Sequence, residues 1–469
     1  MTTQEKATVI VGGGFVGLFT ALHLSHRRYE HPVVLIDAQP RFVFKPLLYE
    51  YLTGEMQEEQ VVPTYETLLK GSQVVFVKGE VDRIDLDSNQ VFLKNKLQYD
   101  YQYLVLAVGS VQGFFGTEGA QQYAFPFRTH ADALELKQHL HDCLQKATQE
   151  SDRAIKQQLL TVAVVGAGPS GVEMAATLAD LLPSWYARLG GNSQEIQIVL
   201  VNHGEEILQG DVNTELKEIA ERALKHKQNP VEMLLGVGVK SVGKTGLTYQ
   251  KKGENSTSQL ATATTIWTVG TATNPLLASL PLPEGDRDKH NQPYVTPTLQ
   301  LLNFPNVFAA GDCAIVQSDP APPVAQIAYQ QGAGIAHNLI ALSQHKPPQP
   351  VRAHMRGTLM KLGMHNGVAN LFNKVEISGE AGDLVRNGTY LELLPTPVHN
   401  FKATAEWLTD ELFERHQQGG VSSAQRSSQK NRSVIWIGSM AIALTILACL
   451  TLAIQSRRPS PEAPRLTQP

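Results

Sequence analysis

Cysteine is scarce in this chain. Three occur in 469 residues, Cys143, Cys313 and Cys449, and no two stand in a CxxC spacing. That excludes a disulfide framework and fits a reducing compartment or indifference to redox state. The 15 histidines, His23 and His26 among them, show no ligand spacing, so no metal is expected. Neither sign of charge dominates. With 40 Lys and Arg against 44 Asp and Glu the net charge is −4, which leaves no electrostatic footprint for nucleic acid. There is no long low-complexity tract. A signal peptide is not expected either, because the first strand-like run already begins near Ala7.

What is present is glycine in a particular order, twice. VIVGGGFVGLFTALHL gives Gly12-x-Gly14-x-x-Gly17, and VAVVGAGPSGVEMAATL gives Gly166-x-Gly168-x-x-Gly171. Each follows an apolar β-branched run and opens an Ala/Leu-rich helical pattern. One glycine makes the tight turn, one admits a pyrophosphate to the backbone, and one lets helix pack on strand. The helix N-terminus then offers free N–H groups and a positive dipole end. A single such motif is weak evidence. Two, both in strand–turn–helix context, point to two bound dinucleotides.

The residues that follow divide the roles. VVLID ends in Asp37, twenty residues past Gly17, where an acid accepts from ribose hydroxyls. YLVLAVGS, ending at Gly109, and the later NVFAAGDCA, with Gly311-Asp312, suit an FAD domain that the chain leaves and re-enters. Asp312 would meet the flavin ribitol. The inserted segment with the second fingerprint then takes NADH or NADPH, with TTIWTVGTATNP around Gly270 as its matching strand. Its second strand ends in Asn202-His203 instead of an acid. Asn202 can bond a ribose hydroxyl without repelling a 2′-phosphate, and Glu205 or Glu206 is the alternative acid. The expected fold class is therefore α/β, with two Rossmann-like dinucleotide-binding domains. Residues 1–126 are the first part of the FAD domain, 127–290 the NAD(P)H domain, and 291–416 the FAD return and C-terminal region. At this length two or three domains are expected.

Residues 433–454, SVIWIGSMAIALTILACLTLAI, are 22 residues without a charge, long enough as a helix to span a bilayer. A polar linker, 417–432, precedes them and a Pro-rich tail, 455–469, follows, so a single transmembrane anchor is expected. Basic residues flank both ends and leave orientation open. By default the catalytic domains lie on the cytoplasmic side.

The order GGGFVGL, RFVFKPLLYEYLTGE, LAVGS, GAGPSGVE, AAGDCA and PPVAQIAYQQG resembles the type II NAD(P)H:quinone dehydrogenases, single-subunit flavoenzymes, over about residues 7–340. Within them it is most similar to the cyanobacterial and plastid branch that includes demethylphylloquinone reductases. The resemblance implies one tightly bound FAD and two-electron transfer from NADH or NADPH to a membrane quinone, without proton pumping. The quinone would be a plastoquinone-like benzoquinone or a prenyl naphthoquinone, the latter in phylloquinone biosynthesis. It also implies that AQIAYQ lies on the quinone side, with Gln326 and Gln330 lining that site and Tyr329 a stacking surface. Glu173 is the first choice for proton handling or gating, the alternative being an N-terminal-turn carboxylate that favours the helix dipole. Lys45 is either an exposed loop lysine or a contact to flavin or quinone oxygens. A disulfide reductase would need a cysteine pair in KPLLYEYLTGE, which has none. A sulfide:quinone reductase would need sulfur-carrying cysteines, and a tethered redox sensor would show no quinone turnover. The oligomeric state is open, a homodimer included. Residues 375–416 depart from the family's apolar C-terminal helices, being acidic and without a clear apolar face.

Overall fold

The computed structural model describes residues 6–395 apart from 28, 211 and 372–374. Two parallel sheets carry the two fingerprints. In the first, Phe304–Ala309, Gln98–Leu106, Ala7–Val11, Val33–Asp37 and Val74–Lys78 lie side by side, each parallel to its neighbour. Five further strands, most of them antiparallel to their neighbours, complete ten. In the second, five strands run parallel in the order Glu232–Leu234, Gln197–Val201, Thr161–Val165, Thr264–Trp267 and Ala124–Pro126. Burial on both faces explains why these strands read as continuous β-branched runs and not as alternating ones.

The helices that follow the fingerprints start on glycine. Phe15–His26 begins at Gly14 and Pro169–Arg188 at Gly168, neither with a side-chain cap, so the first N–H groups stay free for an anion. By contrast Thr129 caps His130–Gln149 and Asn213 caps Thr214–Lys225, so those N-termini are satisfied internally.

The chain passes between the two sheets through a two-stranded ribbon, Ser110–Gln112 antiparallel to Thr271–Thr273. Gln112 fastens it, its Nε2 donating to the carbonyls of Val269 at 2.6 Å and Gly270 at 2.9 Å. Ala124–Pro126, placed at the end of the first part by the sequence, is the edge strand of the second sheet. Three residues carry too little pattern to show which sheet they join, and pairing with Thr264–Trp267 decides it.

Beyond residue 356 the chain forms an antiparallel meander, Gly357–Lys361, Gly367–Leu371 and Val375–Ser378, backed by the helix Gly379–Glu392. This helix packs even though the sequence shows no apolar stripe there. Its inward face holds Asp383, Arg386 and Asn387 beside Leu384 and Leu391. Among the described residues no helix is long and apolar enough to cross a membrane. The expected anchor, 433–454, lies outside the described residues.

Candidate dinucleotide and quinone sites

The first fingerprint has the shape a pyrophosphate needs. A Cβ on Gly17 would lie 1.9 Å from the Gly12 carbonyl oxygen, so strand and helix touch there. A Cβ on Gly14 would meet nothing within 4 Å, which marks the open side of the cradle. Gly166 and Gly171 repeat the closure, with a Cβ on Gly171 at 1.8 Å from the Gly166 carbonyl.

Asp37 and Asn202 occupy equivalent places. Asp37 Oδ2 accepts from the Gly13 N–H at 2.6 Å and Oδ1 from Gln39 at 2.8 Å. Burial raises its pKa, and the two backbone donors oppose that rise. Tyr65 closes the same corner, donating to the Gly13 carbonyl at 2.9 Å. Asn202 Oδ1 accepts from Ala167 N–H at 3.2 Å, the counterpart of Gly13, and its Nδ2 donates to the carbonyls of Gly204 and Glu206 at 3.2 and 3.0 Å. The amide thus does two jobs, holding the fingerprint turn and the loop behind it. Glu205 is exposed and near Lys252, and Glu206 pairs with Lys217.

At the C-terminal end of the strand Phe304–Ala309, Gly311–Cys313 is a short 3-10 turn, with Gly311 at φ +72°. Asp312 accepts from Ser110 Oγ at 2.9 Å, and Arg128 donates to the same hydroxyl at 2.7 Å. Gly109, at φ +62° with open space before its α-carbon, precedes that serine. Lys45 stands in the same charged set. The residue as a whole is exposed, yet burial of its ammonium by surrounding protein lowers its pKa, with the charge of Arg128 adding to the effect and Asp312 and Asp132 opposing it. A cationic lysine facing the Asp312 turn suits the electron-rich edge of a flavin. Gly270 does something else. A Cβ on it would lie 2.7 Å from the Gly113 carbonyl, so this glycine lets the two crossing chains pass.

Sequence reading did not find the most heavily charged feature. Glu50 Oε1 accepts from Lys361 Nζ at 3.0 Å and Arg386 Nη1 at 2.6 Å, all three side chains at most 1% exposed. Glu55 meets the same Lys361 at 2.8 Å. Arg386 also donates to the Pro46 carbonyl at 2.7 Å and lies 3.8 Å from Glu173. Glu173 Oε1 accepts from the Lys361 N–H at 2.8 Å. Tyr49 reaches across from the PLLYE segment to the Ser170 carbonyl at 3.1 Å. The FAD domain, the second fingerprint helix and the C-terminal helix therefore meet in one buried ionic network. Burial pushes the Glu173 carboxyl up to about 7, with Arg386 the largest opposing influence. Asp383 is also raised by burial, while nearby acids hold Lys361 and Arg386 firmly cationic. The one sequence signal was Glu50 inside an otherwise apolar PLLYEYL run.

Gln326 and Gln330 lie one turn apart on the helix Ala325–Ser343, and both carboxamides are engaged. Gln326 donates to the Gly357 carbonyl at 2.9 Å and accepts from the Arg356 N–H at 2.8 Å. Gln330 donates to the His354 carbonyl at 3.0 Å and accepts from its N–H at 3.2 Å. They fix a wall and leave no free amide. Tyr329 packs on Phe19, with ring centroids 5.6 Å apart. Cys313, buried, donates to the Leu106 and Ala310 carbonyls, and burial pushes its thiol up to about 12. Cys143 is buried beside His139 on the helix His130–Gln149, away from the Asp312 turn. Neither is placed to carry sulfur.

Known proteins agree with this architecture. A demethylphylloquinone reductase of Synechocystis is 32% identical over 423 residues, covering 88% of this chain and 98% of its own length. An alternative NAD(P)H-ubiquinone oxidoreductase of Arabidopsis thaliana is 30% identical over 441 residues, covering 86% of this chain and 80% of its own. The solved structure of NDH2 from Plasmodium falciparum in complex with NADH superposes with a TM-score of 0.77 at 19% identity, covering 87% of this chain and 98% of that one, which establishes the shared fold. Residues 6–332 match the family described as pyridine nucleotide-disulphide oxidoreductase, and the chain belongs to that family.

Proposed function

We propose that this protein is a type II NAD(P)H:quinone oxidoreductase that holds FAD in the first fingerprint domain and NADH or NADPH in the second. The observation that carries the reading is the junction at Glu173. There the nucleotide helix, the PLLYE segment and the C-terminal helix put one protonatable carboxyl among fixed cations. Bound FAD supplies the two-electron chemistry between a hydride donor and a quinone.

The protein's own residues do the rest. Gly12, Gly14 and Gly17 would seat the FAD pyrophosphate, Asp37 would hold its ribose, and Asp312, oriented by Ser110, would hold the ribitol. Gly166, Gly168 and Gly171 seat the second pyrophosphate, with Asn202 at its ribose. Gln326 and Gln330 keep the quinone-side wall in place. Glu173, protonated near neutral pH, supplies the proton that a quinone needs in addition to the hydride equivalent. Residues 433–454 anchor the protein in the membrane that contains the quinone.

A prenyl naphthoquinone is favoured as acceptor by the 32% identity to a demethylphylloquinone reductase over nearly that relative's full length. Sulfide oxidation is disfavoured by the burial and separation of Cys143 and Cys313. The test is steady-state oxidation of NADH and NADPH by purified protein with short-chain benzoquinone and naphthoquinone acceptors. Turnover with a quinone supports the reading, and nucleotide binding without turnover would favour a redox sensor. Carbonate extraction of full-length protein from membranes tests the anchor.

A further inference from the structure

Between Asp319 and Glu376 the chain contains no acid. Residues 320–375 are 56 positions with five Lys or Arg and no Asp or Glu, although an even share of the chain's 44 acids would place several there. This stretch builds the quinone-side helix Ala325–Ser343 and the segment that doubles back along it. The return is pinned residue by residue. Asn338 exchanges bonds with Gln349 at 2.9 and 2.8 Å, Gln330 bonds both backbone groups of His354, and Gln326 bonds Arg356 and Gly357. Gly334 completes the series, since a Cβ there would lie 2.4 Å from Val351. Positions 326, 330, 334 and 338 form one stripe of the helix, and the segment covers it.

Side chains of this segment that do not face the helix are left to solvent. Val351 turns inward and Ala353 is half-buried, whereas Arg352, His354 and Arg356 are exposed, as is Lys346 just upstream. Met355, an apolar side chain 43% exposed, stands among them. The helix Phe15–His26, packed against the same helix, adds Arg27, whose guanidinium is 3.3 Å from His337. The result is a cationic ridge with an apolar tip, rigidly fixed to the wall of the quinone site.

We propose that this ridge, Lys346 with Arg352–Arg356, docks on the anionic phospholipid headgroups of the bilayer and turns the quinone site toward the membrane. The inference rests on the quinone-reductase reading and adds a lipid surface as the partner of that site. Charge complementarity selects an anionic surface, and Met355 suits the headgroup–acyl boundary. Each basic residue brought to such a surface contributes roughly a fivefold gain in partitioning at physiological salt.

The test uses full-length protein reconstituted in phosphatidylcholine vesicles with and without phosphatidylglycerol, with a long-chain quinone in the bilayer. For the natural protein, phosphatidylglycerol should raise turnover severalfold, and high salt should cancel the gain. Lys346→Glu with Arg352→Glu should abolish the response, and Met355→Ser should weaken it. Turnover of a water-soluble short-chain quinone should be unchanged in all three. Both reversed residues are exposed, and neither forms an ion pair among the described residues, so the fold is not at stake. Loss of short-chain turnover in the natural protein would sink the quinone reading itself. Intact short-chain turnover with no response to phosphatidylglycerol would overturn the docking inference alone. A response that survives the charge reversal would overturn it too, and would place the lipid contact elsewhere, as at Arg457 and Arg458.

Discussion

Glu173→Gln removes a carboxylate that the folded protein ionises with difficulty. The side chain is 13% exposed, and burial pushes its carboxyl from the ordinary 4.5 to about 7 despite Arg386 at 3.8 Å. Folding therefore takes up a proton at this site between those two values. The stability it withholds grows as pH rises through that window and is complete above it. A shift of this size corresponds to about 3 kcal/mol. Glutamine has no proton to lose. Its stability relative to the natural protein should be near zero at about pH 4.5 and rise to about 3 kcal/mol at about pH 8. At roughly 1 °C per kcal/mol for a chain of this length, the melting temperature should be about 3 °C higher at alkaline pH only. Thermal unfolding followed across this range with saturating FAD measures it. The same change should lower quinone turnover by roughly 10² to 10⁴, the usual worth of a positioned acid. The natural rate should fall as pH rises through about 7, and the variant's low rate should be flat. A variant that is less stable at alkaline pH, or whose stability difference ignores pH, would refute the reasoning. Glu173 would then be an ordinary ionised partner of Arg386.

Three further outcomes are expected. Arg386→Met should destabilise the protein by about 3 kcal/mol, the low end for breaking a buried ion pair, because Lys361 remains on Glu50; adding Glu50→Gln should cost less than the sum of the two single changes, which a double-mutant cycle measures. Asn202→Asp should raise the KM for NADPH about tenfold or more relative to NADH, corresponding to about 1.4 kcal/mol of repulsion, and an unchanged ratio would mean that the ribose is read elsewhere. Asp312→Ala should lower the flavin content of purified protein while circular dichroism stays unchanged, since Asp312 is only half-buried and its carboxylate accepts from Ser110 alone among the described side chains.

The sequence alone determined what depends on local backbone geometry. A strand, three glycines at fixed spacing and a helix are one continuous piece of chain. The glycines are needed because a side chain on Gly17 or Gly171 would strike the carbonyl of Gly12 or Gly166. Asp37 and Asn202 were singled out because each ends the strand after such a piece, and Asp312 because Gly-Asp follows a strand-like run. The two sheets, the insertion of one domain in the other and the family resemblance all followed from there. What lay beyond was decided by contacts between distant residues. Lys361 and Glu50 stand 311 positions apart, and Arg386 and Glu50 stand 336. Each alone reads as a solvated charge. Only the packed structure removes water from all of them and makes Glu173 a weak acid. Residues 375–416 read as acidic and without a clear apolar face, yet the helix Gly379–Glu392 packs through buried Asp383, Arg386 and Asn387 as well as Leu384 and Leu391. Likewise Gln326 and Gln330 were legible as a motif but not as clamps. Their partners at residues 354–357 come beside them only once the chain has doubled back along the helix.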